Sequence, residues 1–262
     1  MNAVKPAACA VDRVVTEPSL DRTQTEPPLD QWMQRWYKWV MQGSGSKIGR
    51  VTMMRILVTA GPTREYFDSV RFISNPSSGK MGYAIARAAA ARGHDVILVS
   101  GPVELAKPPG VRTVNVVSAE EMFQACTAHF DDCDAAVMTA AVCDYRPSRR
   151  LDHKLKKQNR VRAVHLQPTR DICAHLGRIK EHRVVVGFAM EDRDEHARAQ
   201  AKLSRKQCDA LVLNGLGNVG TDDAVVEILR ADGGWIPPLR GSKDELAVEV
   251  VKLVEELQSV RR

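Results

Sequence analysis

From Met54 onward, short apolar runs alternate with stretches of helical period. Arg55 to Ala60 (RILVTA) predicts a first buried strand, and Lys80 to about Arg92 predicts a helix. That helix places Met81, Ile85, Ala88 and Ala89 on one face and has Gly93 as its stop. Asp95 to Ser100, Val111 to Val117 and Ala135 to Thr139 read as further strands, with a helix over Ala119 to Phe130. The second half repeats the rhythm: strands near Ala163 to Leu166, Arg183 to Phe188 and Ala210 to Leu213, helices near Arg170 to Ile179 and Glu195 to Lys206. Asp223 to Leu229 and Trp235 to Leu239 flank Asp232-Gly233-Gly234 as a hairpin. A last helix from Lys243 to about Leu257 buries Leu246, Val250, Leu253 and Leu257.

Apolar strands alternating with amphipathic helices stack as βα units around a mostly parallel sheet. The predicted fold is a doubly wound, Rossmann-like α/β domain over residues 54–262, ending in a β-hairpin and a helix. Residues 1–53 differ: Pro6, Pro18, Pro27 and Pro28 lie among polar residues without apolar periodicity. This predicts a disordered leader. It ends in a short helix carrying Trp32, Trp36 and Trp39 and a Gly43-Ser44-Gly45-Ser46 linker. That helix fits a membrane surface or partner groove, a segment docked on its own domain, or translated sequence ahead of a start at Met53 or Met54.

Composition narrows the classes. No apolar run approaches the roughly 18 to 20 residues that span a bilayer, and Met1 to Asp12 lacks a secretory pattern, so the expected location is cytoplasmic, with no integral membrane segment. Six cysteines show no C-x-x-C spacing and read as reduced core residues; no metal ligands can be named. The net charge of +6 suits anionic partners. With 5% aromatic residues and basic residues spread along the chain, nucleic acid is not the expected partner.

In such sheets ligands collect beyond the carboxyl ends of the strands. After the first strand come Gly61-Pro62-Thr63-Arg64-Glu65, a connection through Val70 to Ile73, and Ser74-Asn75-Pro76-Ser77-Ser78-Gly79-Lys80-Met81-Gly82 opening a helix. Ser77 or Ser78 is suited to cap that helix, Gly79 and Gly82 to admit a ligand, and the free N–H groups to bind phosphate, with Lys80 and Arg64 adding charge. A capped helix with small packing residues is the plainer alternative. A Walker A loop is excluded by Ser74 and Met81, and a G-x-G-x-x-G turn is absent after Gly61. A second cluster, Thr139 to Tyr145, leaves room for a flat ring, with Asp144 as acceptor. Lys154-Leu155-Lys156-Lys157 and the i, i+4 pair Lys202 and Lys206 offer cations for a polyanion, or are solvated surface.

In combination and in this order, TAGPTRE (Thr59 to Glu65), VRFISNPSSGKMG (Val70 to Gly82), AAVCDY (Ala140 to Tyr145), KLKK (Lys154 to Lys157) and VVGFAME (Val185 to Glu191) resemble phosphopantothenoylcysteine synthetase, also called phosphopantothenate-cysteine ligase. The likeness extends over nearly all of residues 54–257. It implies that the carboxylate of 4′-phosphopantothenate attacks the α-phosphate of CTP, and that cysteine's amine displaces CMP from the acyl-cytidylate, within coenzyme A synthesis. It further implies Asn75 and Lys154 as catalytic residues, Asn75 at the acyl-nucleotide and Lys154 on a flap. Ala140, Asp144, Lys154, Phe188, Lys202 and Lys206 are implied at the nucleotide, with Mg²⁺ accompanying CTP. The residues from Ser77 to Gly82 remain the expected phosphate cradle. A homodimer is implied, because the flap of the family reaches a neighbouring subunit. Many bacterial relatives are fused behind a flavin-dependent decarboxylase; here 53 residues precede the domain, so no FMN is expected on this chain and decarboxylation is expected from a separate protein. Two departures stand out: Pro168-Thr169-Arg170-Asp171-Ile172 where the family carries Pro-Asp-Ile, and a loop at 215–221 without the usual Phe. The other enzyme class weighed, an NAD(P)-dependent reductase, lacks both its glycine fingerprint and a Tyr-x-x-x-Lys, since Arg149 stands four residues after Tyr145.

Overall fold

The computed structural model describes residues 52–218, 220–232 and 234–261. The expected leader and tryptophan helix lie outside the described residues. A central sheet of eight strands has the order β12-β11-β10-β9-β6-β1-β4-β5. Its strands are β1 (Arg55–Ala60), β4 (Asp95–Ser100), β5 (Arg112–Asn115), β6 (Ala135–Met138), β9 (Val184–Met190), β10 (Ala210–Asn214), β11 (Asp223–Arg230) and β12 (Gly234–Ser242). The first six are parallel, and β11 and β12 close the edge as an antiparallel hairpin.

The inner strands β1, β4, β6, β9 and β10 are largely Val, Ile, Leu and Ala runs because both faces are covered. On one face α1 (Lys80–Ala91) and α5 (Lys243–Ser259) bury Ile85, Ala89, Val250 and Val254 against Ile56, Val58, Val137 and Val212. On the other, α2 (Ala119–Phe130), α3 (Ile172–Ile179) and α4 (Glu195–Lys206) bury Met122, Phe130, Leu176 and Leu203 against Leu57, Val99, Val185 and Leu211. Among the described residues, three of the five helices, α2, α3 and α5, start at a side-chain cap. Ser118 accepts from the Glu121 N–H, Asp171 from the Ala174 N–H, and Ser242 with Glu245 forms a reciprocal capping box.

Two small sheets stand outside this core: β2 (Arg64–Tyr66) with β3 (Phe72–Ser74), and β7 (Tyr145–Pro147) with β8 (Leu166–Pro168). Both correct the sequence expectation. The segment 64–74 is a hairpin rather than a plain connection, and the strand expected near Ala163 to Leu166 pairs with β7 instead of joining the central sheet. Three-residue strands with charged members carry no periodicity to read; their partners are supplied by tertiary contact.

Candidate functional site at the carboxyl rim

The chain runs from β1 through β4 to β5 on one side and returns through β6 to β9 and β10 on the other, so the strand order reverses between β1 and β6. The crevice at such a reversal is where open α/β sheets bind ligands. Beyond their ends the two strands stay in contact, Pro62 bridging Ala141 and the Ala141 N–H donating to Gly61 O at 2.9 Å. Thr63, fully buried, joins three segments. Its N–H donates to Ala141 O, its Oγ1 accepts from the Cys143 N–H at 3.0 Å, and its carbonyl accepts from Ser74 Oγ at 2.7 Å.

That stitching delivers Asn75 to the crevice. Its Nδ2 donates to Val142 O at 3.0 Å and Ala141 O at 3.3 Å, two carbonyls that fix which end of the amide is nitrogen. Asn75 Oδ1 accepts from no group among the described residues. From there a run of hydrogen bonds crosses the rim. Thr169 Oγ1 donates to Cys143 O at 2.6 Å and its N–H to Asp144 O at 2.9 Å. Two residues on, Asp171 holds Lys206 Nζ at 3.2 Å. Asn75, Ala140, Asp144 and Lys206 are therefore linked through one connected set of loops. The pKa of the Cys143 thiol, buried behind them, is pushed up by burial.

The other sequence candidates stand as follows. Phe188, half-buried, packs on the α1 and α5 side of the sheet, whereas Ala140 packs on the opposite side, so the two flank the rim. Lys202 is turned to Glu191, a buried carboxylate just past β9, at 2.5 Å. Lys154 is exposed on the loop joining β7 to β8, and no hydrogen bond among the described residues ties its side chain to Asn75 or Lys206.

The expected serine cap of α1 is corrected. Gly79 itself is the N-cap, in the left-handed region at φ 76°, with no side-chain cap bond. Ser77 and Ser78 approach only the Gly79 and Lys80 N–H groups, at 3.4 and 3.5 Å. A left-handed cap is glycine's region, and a Cβ there would lie 2.8 Å from Val103 Cγ1. Gly82 differs from expectation too. A Cβ would stand 2.5 Å from both Ala60 Cβ and Thr139 Oγ1, so its small size serves helix-to-strand packing rather than ligand approach.

Lys80 Nζ pairs with Asp222 at 2.6 Å, and Lys243 donates to the carbonyls of Asn218 and Thr221. The Asp222 carboxyl is held below its usual range by Lys80, and the Lys243 ammonium is lowered by burial and then by Lys80's charge. The loop after β10 thus brings Asp222 beside the start of α1, and Lys243, the first residue of α5, is tied to that loop. Sequence reasoning missed both, because neither sits in a motif.

The fold and rim define a class: a doubly wound α/β domain whose strand-order reversal gathers amide and ammonium groups suited to anionic ligands. The chain matches the DNA/pantothenate metabolism flavoprotein C-terminal domain over residues 51–257 and belongs to that family. It is 43% identical over 183 residues to the coenzyme A biosynthesis bifunctional protein CoaBC of Bacillus subtilis (strain 168), covering 68% of this chain and 45% of that protein. It is 46% identical over 170 residues to a cysteine/cysteine sulfinic acid decarboxylase from an unknown prokaryotic organism, covering 63% of this chain and 47% of that protein. The crystal structure of the C-terminal domain of a CoaBC superposes with a TM-score of 0.71 at 39% identity, over 81% of this chain and all of that one. The chain spans about half the length of the curated relatives it matches. No helix among the described residues is long and apolar enough to cross a membrane.

Proposed function

We propose that this chain is the ligase of coenzyme A biosynthesis that joins 4′-phosphopantothenate to cysteine through an acyl-cytidylate. The observation that carries the reading is the anchoring of the Asn75 carboxamide across the β1/β6 reversal, on a loop system continuous with Asp144 and Lys206. Family membership and the likeness to the CoaBC C-terminal domain support it.

In the first step the substrate carboxylate attacks the α-phosphorus of CTP and pyrophosphate leaves. In the second, cysteine's amine attacks the acyl carbon, CMP leaves and the amine's proton passes to solvent. Both steps bring anions together, so the protein's task is alignment and charge screening. Lys206 and Lys202 would exchange Asp171 and Glu191 for nucleotide phosphates, and Lys154 would meet the triphosphate. Ala140 and Phe188 would flank the base, Asp144 would accept from base or ribose, and the Ser77-Ser78-Gly79 turn with Lys80 would receive the pantothenate phosphate. With both Nδ2 hydrogens on main-chain carbonyls, Asn75 would offer Oδ1 to the incoming amine. Mg²⁺ would be carried on the nucleotide's phosphates. Bound there it would supply neutralisation of phosphate charge.

Homodimerisation belongs to the same proposal. Phe72, Ile73, Tyr145 and Leu166 expose 40%, 38%, 56% and 48% of their surface on the two small sheets, an apolar patch that a second copy would cover. Sedimentation at micromolar concentration should give a dimer, and a monomer would remove this part.

The test is direct. Protein with phosphopantothenate, CTP and Mg²⁺ should release pyrophosphate before cysteine is added, and CMP only afterwards. Folded protein that releases neither refutes the proposal, and an ATP arm decides the base.

A further inference from the structure

Asp68 lies in the turn between β2 and β3, has no solvent-accessible surface, and is used by none of the steps above. One oxygen serves its own turn, Oδ1 accepting from the N–H groups of Val70 at 2.8 Å and Arg71 at 2.7 Å. The other reaches 87 residues along the chain. Oδ2 accepts from the Leu155 N–H at 3.0 Å and from the Arg71 guanidinium at 2.9 and 2.5 Å. That same guanidinium donates to Leu155 O at 2.6 Å. Both faces of Leu155, its N–H and its carbonyl, are thus held by one charged pair.

The consequence falls on the neighbours. The peptide through the Leu155 N–H carries Lys154, and the peptide through its carbonyl carries Lys156. In Lys154-Leu155-Lys156 only the leucine is half-buried, and both lysines are exposed. Leu151, whose N–H donates to Phe67 O at 3.0 Å, adds a second tie at the loop's base. Burial works against Asp68's charge, but the three N–H groups and the guanidinium outweigh it and hold the carboxyl far below its usual range, so the clamp stays charged throughout the working pH range.

We infer that Asp68 is a positioning residue for the ligation: its second oxygen pins the Leu155 peptide so that Lys154 is presented at a fixed place. This rests on the reading of Lys154 as a cation of the nucleotide site. A loop ordered beforehand need not be ordered on substrate binding, and small misplacements of a charge at a reacting centre are costly in rate.

Asp68→Asn tests it. The amide keeps one acceptor for the turn but sets an NH₂ against the Leu155 N–H and Arg71. We expect kcat to fall about 10- to 100-fold with KM for phosphopantothenate nearly unchanged. In a Lys154→Ala background the same change should alter kcat by less than about twofold, because the residue it acts through is gone. In substrate-free protein, trypsin should cut after Lys154, Lys156 and Lys157 faster than in wild type. Leu155→Pro, which deletes the loop's donor, should reproduce the fall in kcat and the faster cutting after Lys156 and Lys157 even if the Asp68 variant fails to fold, the Lys154–Pro bond itself being resistant to trypsin. An equal loss of kcat with and without Lys154, or unchanged trypsin protection in both variants, overturns the inference. Wild-type protein without ligase turnover sinks the functional reading instead, and leaves the protease comparison to decide the clamp by itself.

Discussion

The two ends of the sheet handle charge differently. At the amino end, Glu255 takes both Arg92 nitrogens at 2.7 and 2.6 Å and His94 Nε2 at 2.9 Å, while His94 Nδ1 accepts from the Met54 N–H. Asp209 likewise takes the Val185 N–H, Lys180 at 2.5 Å and Arg261. Each carboxylate is buried or nearly so and is met by several donors. At the carboxyl rim Lys206 and Lys80 are each held by a single, partly exposed contact, with Asp171 and Asp222, while Lys202 is turned to the buried Glu191. The side chains of Asp144 and Lys154 enter no ion pair among the described residues. Groups locked by several bonds hold the sheet and its helices together; groups held by one exchangeable bond are available to a ligand.

This contrast predicts that rate and stability separate by region. The largest effect is expected at Asn75. Asn75→Ala removes two hydrogen bonds to loop carbonyls from an exposed position, so the melting temperature should hardly move. The turnover of acyl-cytidylate to product should fall by on the order of 10² to 10³. Nucleotide binding, read by calorimetry, should change less than tenfold. Equal loss of binding and turnover would mean that Asn75 merely shapes the loop.

Glu255 should behave the other way. Burial raises its pKa, but the hydrogen bonds from His94 and Arg92 and the charge of Arg92 prevail and hold it at about 2 against an ordinary 4.5. A depressed acid stabilises the fold above its unfolded pKa and loses that contribution as pH falls toward the folded one. Stability should therefore drop as pH goes from about 4.5 to about 2, by up to about 3 kcal/mol from this group. Glu255→Gln should lower the urea midpoint at neutral pH by an amount equivalent to about 2 kcal/mol, flatten that acid limb, and leave kcat unchanged. A changed kcat with an unchanged midpoint would erase the contrast between the two ends.

Which parts of this were legible in the sequence follows from where their information lies. Arg55–Ala60 and Asp95–Ser100 begin and end where their apolar runs do, and the helix over Ala119–Phe130 starts at a capping serine, so local chemistry defines them. The clusters of Asn75, Ala140 and Asp144 were readable because each lies directly after a strand or in the loop opening a helix. The hairpins at 64–74 and 145–168 were not, since their strands are short and their pairing is tertiary. Gly82 reads as space in the sequence and turns out to be filled by Ala60 and Thr139. Asp68 is one acid in a loop until the fold brings Leu155 beside it, and no spacing rule connects positions 68 and 155.

The smallest effect sharpens the comparison where the rim touches the later loop. Asp222 is 85% exposed and grips Lys80 through one contact, so by the reasoning above it contributes nothing resolvable to the melting temperature. Its carboxylate nevertheless competes with any phosphate that Lys80 would meet at the start of α1. Asp222→Asn should lower KM for phosphopantothenate about two- to threefold at low ionic strength, and the gain should vanish as salt is raised, because an exposed pair is screened within roughly 10 Å at 0.1 M. A rise in KM would show instead that Asp222 holds Lys80 in its working position, and would move this pair from the exchangeable group at the rim to the locked kind found at the opposite end.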